Sequence, residues 1–177
     1  MLDAVITSKT KIHIFVKLFL NPENSAYLRE LAKEFGVSTN SVRTELNILT
    51  RNGILAARKR GRQILYSANR SHPLFPELAS MVRKLTGIDS LVQSVIQRLG
   101  ELEAAYLIGD YAKGMDSGII DVILVGNVDP EQLQDIVRKT ENYIKRKIRP
   151  LILTEQEFRN LREKGRFDPF MVLFKRN

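Results

Sequence analysis

The sequence predicts an α+β protein of two domains: a helical head carrying a small β-hairpin, then a small α/β layer structure. Three observations carry this. Residues 26–62 set two amphipathic helical patterns across a tight turn, ahead of two short strands. From Ile88 onward, helical and strand periodicities alternate. Charge divides at the same place: residues 1–87 hold 14 Lys and Arg against 6 Asp and Glu, whereas residues 88–177 hold 14 of each. The net charge of +8 therefore belongs to the first half. A cationic excess of that kind suits a polyanion, because neutralising phosphates releases their condensed counterions.

The first helix is expected over residues 9–20, capped by Ser8, with Ile12, Phe15, Val16, Phe19 and Leu20 inward and Asn21-Pro22 as its stop. Ser25 is the expected cap of the second helix, whose inner face is Leu28, Leu31, Ala32 and Phe35. Gly36 ends it, Val37 turns inward, and Ser38 caps a third helix that buries Val42, Leu46 and Leu49. The opposite side of that helix carries Asn40, Arg43, Thr44 and Asn47. Two helices across a tight turn make a helix-turn-helix, whose second helix is the one that enters a DNA major groove. Strands are expected at Ile54–Ala57 and Gln63–Ala68. The turn between them holds Arg58, Lys59, Arg60 and Arg62, with Gly61 permitting it.

A cationic hairpin directly after a recognition helix is a wing, placed to meet phosphates beside the groove. The stretch AYLRELAKEFGVSTNSVRTELNILTRNGILAARKRGR thus resembles the winged helix-turn-helix domains of ArsR-like bacterial transcription regulators. The resemblance runs from the first helix to about Gly87. It implies double-stranded DNA as partner, with Asn40, Arg43, Thr44 and Asn47 at base edges and Arg58, Lys59, Arg60 and Arg62 on phosphates. A helix over residues 75–86, with Leu78, Met81, Val82 and Leu85 apolar, closes this domain. Helices at that place in such regulators form a dimer interface with the first helix, so a homodimer is the expectation. The plainer alternatives are a winged helix used for protein contacts and a helix that only packs internally.

Cysteine is absent, which excludes disulfides and thiolate metal sites. His13 and His72 lie far apart without a ligand pattern, and no cofactor is implied. The longest apolar run, near Ile12–Leu20, contains Lys17 and is too short to span a bilayer, and the N-terminal residues lack a signal-peptide order. A cytoplasmic location without membrane contact is expected.

The second domain, residues 88–177, opens with a helix over 89–99 whose apolar face is Leu91, Val92, Val95, Ile96 and Leu99. Strands follow at Ala104–Ile108 and Ile119–Val125, the latter apolar enough to be buried on both faces. Asp129-Pro130 starts a helix to about Lys147, with Leu133, Ile136, Val137, Tyr143 and Ile144 inward. Leu151–Leu153 is a third strand. Thr154 and Glu157 form a capping box for a helix ending at Gly165, and Phe170–Phe174 is the last strand.

The stretch AAYLIGDYAKGMDSGIIDVILVG resembles the nucleotidyltransferase fold of the DNA polymerase beta-like superfamily. Gly109, Tyr111, Ala112, Gly114 and Asp121 match its pattern. The resemblance implies a phosphate cradle at a Gly-Ser turn and two Asp two residues apart sharing divalent metal. This chain departs at those positions: Asp110 stands for the Ser, Ile119 for the first Asp, and Lys113 for the usual Arg. The strand expected to supply a third carboxylate reads Arg149-Pro150-Leu151-Ile152-Leu153. Asp116 is read as a turn residue.

The reading is a DNA-binding regulator whose nucleotidyltransferase-like domain keeps a vestigial site at Gly109, Asp110, Lys113 and Asp121. That domain then serves regulation, dimerisation, or binding of a partner protein or ligand. The alternative is a divergent metal-dependent nucleotidyltransferase using the winged helix as a substrate-binding module.

Overall fold

The computed structural model describes residues 8–99 and 102–176, apart from the side chains of residues 95–97. The chain forms two compact units, Met1–Leu85 and Thr86–Asn177, and the α+β class holds in both. Among the described residues no helix is long and apolar enough to cross a membrane.

In the first unit, α1 (Lys9–Phe15) starts at Ser8, whose Oγ accepts from the Lys11 amide at 3.2 Å. It continues as a π-helical segment, Val16–Leu20. Leu18 is buried here along with Val16, Phe19 and Leu20, and Ile12 is only partly buried. Asn24 Nδ2 donates to the Lys17 carbonyl at 3.1 Å, which answers one of the carbonyls such a helix end leaves unpaired.

Ser25 is not a helix cap. It belongs to β1 (Ser25–Tyr27), which pairs antiparallel with β3 (Gln63–Ala68): Ser25 with Ser67, Ala26 with Tyr66 and Tyr27 with Leu65. The sheet claims these residues because Ala26 and Tyr66 share a buried face. Helix α2 (Leu28–Phe35) therefore starts two residues later than expected, with Glu30 accepting from the Tyr27 amide at 3.0 Å. Ser38 does cap α3 (Thr39–Arg51), accepting from the Ser41 amide at 3.2 Å. Val42, Leu46 and Leu49 are buried as expected. Lys11 reaches Glu45 of α3 at 3.3 Å and Lys17 reaches Glu34 of α2 at 2.8 Å, so α1 is tied to both helices.

Strand β2 (Leu55–Arg60) completes the sheet in the order β1-β3-β2. It runs further than expected, and its register sets Arg58 opposite Leu65, Lys59 opposite Ile64 and Arg60 opposite Gln63. Only Gly61 and Arg62 are left to turn. Helix α4 (Phe75–Thr86) is anchored where Phe75 meets Phe19, ring centroids 5.7 Å apart.

In the second unit, the four-stranded sheet has the order β6-β5-β4-β7. Here β4 is Leu102–Ile108, β5 Ile119–Gly126, β6 Lys147–Leu153 and β7 Met171–Lys175. β5 pairs parallel with β6 and antiparallel with β4, which pairs antiparallel with β7. A short helix, α6 (Gly109–Ala112), follows β4, and α7 (Pro130–Ile144) makes the crossover that a parallel pair requires. Asp129 caps α7, its carboxylate accepting from the Glu131 amide at 2.9 Å. Helix α8 (Glu155–Glu163) starts at the expected box: the Thr154 amide donates to Glu157 at 2.8 Å, and Thr154 Oγ1 accepts from the Glu157 amide at 3.3 Å. α8 covers one sheet face, where Phe158 stacks on Tyr106 at 4.4 Å over Ile123, Val125 and Leu153.

Ile120, Val122 and Leu124 alternate onto the opposite face, the side of α5 (Ile88–Arg98) and α7. Leu91 and Leu99 are buried as read, whereas the side chains of Val95 and Ile96 lie outside the described residues.

Three readings are corrected here. α7 ends at Ile144, not near Lys147, because Lys145 turns left-handed (φ 57°). Tyr143, expected inward, is 78% exposed, since α7 already fills its inner stripe with Leu133, Ile136, Thr140 and Ile144. β6 begins four residues earlier than expected, and it tolerates Pro150 because it is an edge strand, where a missing N–H need not face a partner.

Gly87, between α4 and α5, has φ 78°, and a Cβ there would lie 2.7 Å from Ile144 Cβ. Both the conformation and the contact demand glycine. Gly87→Ala is expected to cost about 2 kcal/mol or more, from the left-handed backbone and the overlap together. An unchanged thermal unfolding midpoint would show that α7 gives way freely.

Candidate nucleic-acid interface

The outer face of α3 carries Asn40, Arg43, Thr44 and Asn47, all exposed. They share a face because the buried Val42, Leu46 and Leu49 fix the helix rotation. Thr44 Oγ1 already donates to the Asn40 carbonyl at 3.0 Å, so its hydroxyl faces a ligand as an acceptor and its methyl as an apolar contact. Ile48, 42% exposed, extends this face; its apolar side chain suits a thymine methyl, and the reading by polar residues missed it.

A groove of about 640 Å³ separates α3 from the hairpin and the start of α2. Arg43 and Asn47 line it from α3, Arg62, Gln63 and Ile64 from the hairpin, and Arg29 from α2. Among the described residues its lining includes three guanidinium groups and no carboxylate. Arg29 was not anticipated from the sequence, because a lone Arg in the first turn of a helix carries no pattern. It takes its position from β1, which delivers α2 to the edge of the hairpin.

The four hairpin cations do not cluster at a tip. Arg58, Lys59 and Arg60 sit on β2, where side chains alternate. By register Lys59 stands opposite Ile64 and Arg60 opposite Gln63, both residues of the groove lining, on opposite faces of the hairpin, while Arg58 stands opposite Leu65. Arg62, in the turn, lines the groove itself. The longer β2 thus spreads Arg58, Lys59 and Arg60 along the hairpin, and of the four cations Arg62 is the one that lines the groove.

The residues of the nucleotidyltransferase-like motif also come together. Gly109, at φ 65°, starts α6, and a Cβ there would fall 2.8 Å from Asp121 Oδ2. Asp110 and Lys113 follow in or just past that short helix. Asp121 is not free: Arg149 donates to both its oxygens, Nε to Oδ1 at 2.6 Å and Nη2 to Oδ2 at 2.9 Å. The two are register partners on the parallel strands β5 and β6. Arg149 therefore stands on the strand that would otherwise bring a third carboxylate, and it reverses the charge offered there. The side chains present do not fit a shared divalent metal. Ile119 offers no oxygen, both oxygens of Asp121 are engaged, and among the described residues no three His, Cys, Asp or Glu converge.

Asp116, read as a turn residue, does more than turn the chain. It accepts from the Tyr111 hydroxyl and from Arg146 Nε at 3.0 Å, with Arg146 Nη2 on its second oxygen. Burial works to raise the Asp116 carboxyl, but the hydrogen bonds from Arg146 and Tyr111 and the charge of Arg146 outweigh it and hold it below its ordinary value. Burial first, then the neighbouring carboxylate, push the Tyr111 phenol well up. The network joins the loop after α6 to the start of β6 across 30 residues, a separation at which no sequence pattern points to the partner.

Residues 25–108 match the model of the penicillinase repressor family, a span just under half of the chain. No curated protein matches the chain. Among solved structures, reduced HlyU from Vibrio cholerae is similar at 20% identity, covering 49% of this chain and 83% of that one, with a TM-score of 0.39. A candidate nucleotidyltransferase from Sulfolobus solfataricus is similar at 23% identity over 55% of this chain and 85% of that one, with a TM-score of 0.37. A transcriptional regulator from Alicyclobacillus acidocaldarius is 15% identical over 90% of this chain and 74% of that one, with a TM-score of 0.35.

The Asp116 network has a pH signature. Its folded carboxyl titrates below the ordinary value of 3.8, so its stabilisation is complete above that value and is lost as pH falls through the lowered one. Asp116→Asn is expected to cost about 2 kcal/mol at neutral pH, the scale of hydrogen bonds to a charged group. The gap between variant and parent should close as acid protonates Asp116. Denaturant unfolding at several pH values measures it, and a gap constant down to strong acid would contradict the assignment.

Proposed function

We propose that this chain is a DNA-binding transcription regulator with two domains, residues 1–87 reading DNA and residues 88–177 serving regulation, dimerisation or partner binding. The observation that carries this is the acid-free groove in which Arg29, Arg43, Asn47 and Arg62 meet beside the exposed face of α3. The match of residues 25–108 to penicillinase repressors and the confinement of the positive excess to residues 1–87 support it. In this reading Asn40, Arg43, Thr44 and Asn47 meet base edges. Arg62 holds phosphate beside the groove, and Arg58, Lys59 and Arg60 meet phosphates along the hairpin. In this reading the second domain does not turn over nucleotides, which the engagement of Asp121 by Arg149 and the lack of an oxygen at Ile119 support.

The assembly we infer is a homodimer through α4. Leu74 is 55% exposed, and Leu78, Met81 and Leu85 are half-buried along one side of that helix, an apolar stripe unusual for a finished surface. A two-fold dimer presents two recognition helices to two half-sites, which gives a small head its affinity. Sedimentation equilibrium at micromolar concentration is expected to show a dimer that Leu78→Glu dissociates. A parent chain monomeric both free and on DNA would refute it.

The DNA reading is tested by anisotropy on duplexes selected from random sequence, against unselected duplex. Arg43→Ala should narrow the gap between the two by about 1–3 kcal/mol, whereas Arg62→Ala should weaken both alike and lower the salt slope by about one unit. An intact chain that binds no duplex at low salt would remove the proposal.

A further inference from the structure

A second groove lies in the second unit, between α5 and α7, on the sheet face away from Asp121 and Arg149. Its volume is about 390 Å³, within the range of small-ligand sites. Two polar stripes form its walls. On α5, Ser90, Ser94 and Arg98 recur at four-residue steps and so project from one side of the helix. On α7, Lys139 and Tyr143 make the facing stripe, while the buried Ile136 and Thr140 form the floor. In the floor Thr140 Oγ1 donates to the Ile136 carbonyl at 2.8 Å, so its proton is already engaged.

The electrostatics of this groove are one-sided. Among the described residues no carboxylate lines it, and neither Arg98 nor Lys139 forms an ion pair. Two of the three acids of α7 are engaged elsewhere, Asp135 on Arg138 at 3.0 Å and Glu141 on Lys147 at 3.0 Å and on the Ile148 amide at 2.8 Å, and the third, Glu131, lies in the first turn of the helix. Two like charges facing one concavity, with serine hydroxyls between them, lack only an anion. Tyr143 adds the other half of a recognition pattern. Its ring is 78% exposed at the rim, where an aromatic side chain gains nothing from folding but can stack on a flat partner.

We propose that this groove binds a small phosphorylated ligand carrying a planar ring, for which a mononucleotide is the simplest case. Arg98 and Lys139 hold the phosphate, Ser94 donates to it, and Tyr143 stacks on the ring. The proposal does not depend on the DNA-binding reading, because every residue it uses lies in the second domain. It supplies that domain with a ligand which leaves the Asp121–Arg149 pair intact.

Calorimetric titration of the full chain with AMP, inorganic phosphate and adenosine tests it. AMP is expected to bind, phosphate to bind more weakly, and adenosine to give no heat. Arg98→Ala and Lys139→Ala should each weaken AMP about tenfold. Tyr143→Ala should weaken AMP and leave phosphate unchanged, and Arg149→Ala should leave both unchanged. All three groove side chains are exposed, so unaltered thermal unfolding will show that the variants are folded; Lys139→Gln repeats the charge test with less loss of bulk. Absence of AMP binding at millimolar concentration would overturn the proposal. So would AMP binding that Arg149→Ala abolishes and Arg98→Ala spares, or binding confined to oligonucleotides.

Discussion

Helix α3 can bury only one of its faces, and the first unit is arranged around that constraint. Val42, Leu46 and Leu49 are driven out of water, and α1, α2 and the hairpin supply the apolar surface that receives them. Once those three are seated, the rotation of the helix about its axis is set. Asn40, Arg43, Thr44, Asn47 and Ile48 must then face solvent. The ties from Lys11 to Glu45 and from Lys17 to Glu34 add position more than energy, since partly exposed pairs contribute little on their own. The reading surface is thus a by-product of where hydrophobic residues are not.

Much of this was legible because helix periodicity is local. The burial of Leu31, Ala32, Val42, Leu46 and Leu49 follows from three- and four-residue spacing, and the caps at Ser8, Ser38, Asp129 and Thr154 from residue type and position. What escaped depends on pairing between distant segments. β1 holds three residues, and nothing within Ser25-Ala26-Tyr27 marks a strand until Ser67-Tyr66-Leu65 lies beside it. The extension of β2 into Arg58-Lys59-Arg60 is a similar case, since a run of cations reads as a loop until the partner strand gives it a register. Tyr143 was misplaced for another reason. An aromatic residue near an amphipathic stripe looks like core, yet α7 had filled its inner face one residue away with Ile144.

The candidate sites divide along the same line. Arg43 and Asn47 could be named from one helix, but Arg29 joins them only because β1 carries α2 to the groove. In the second unit the absence of acid from β6 was visible in the sequence. That Arg149 lies opposite Asp121 required the parallel register. Knowing which strands are neighbours changes the meaning of the residue, from a missing ligand to an opposing charge.

That change has a thermodynamic consequence. A cleft of converging carboxylates is a folding liability without its metal: the acids repel, and the folded state draws stability from whatever cation is in solution, by mass action. In this chain the positive charge is covalently part of β6, and it arrives whenever the strands pair. The second unit therefore carries its own counterion. At this cleft the pairing of Arg149 with Asp121 does the work that a free divalent ion does between converging carboxylates.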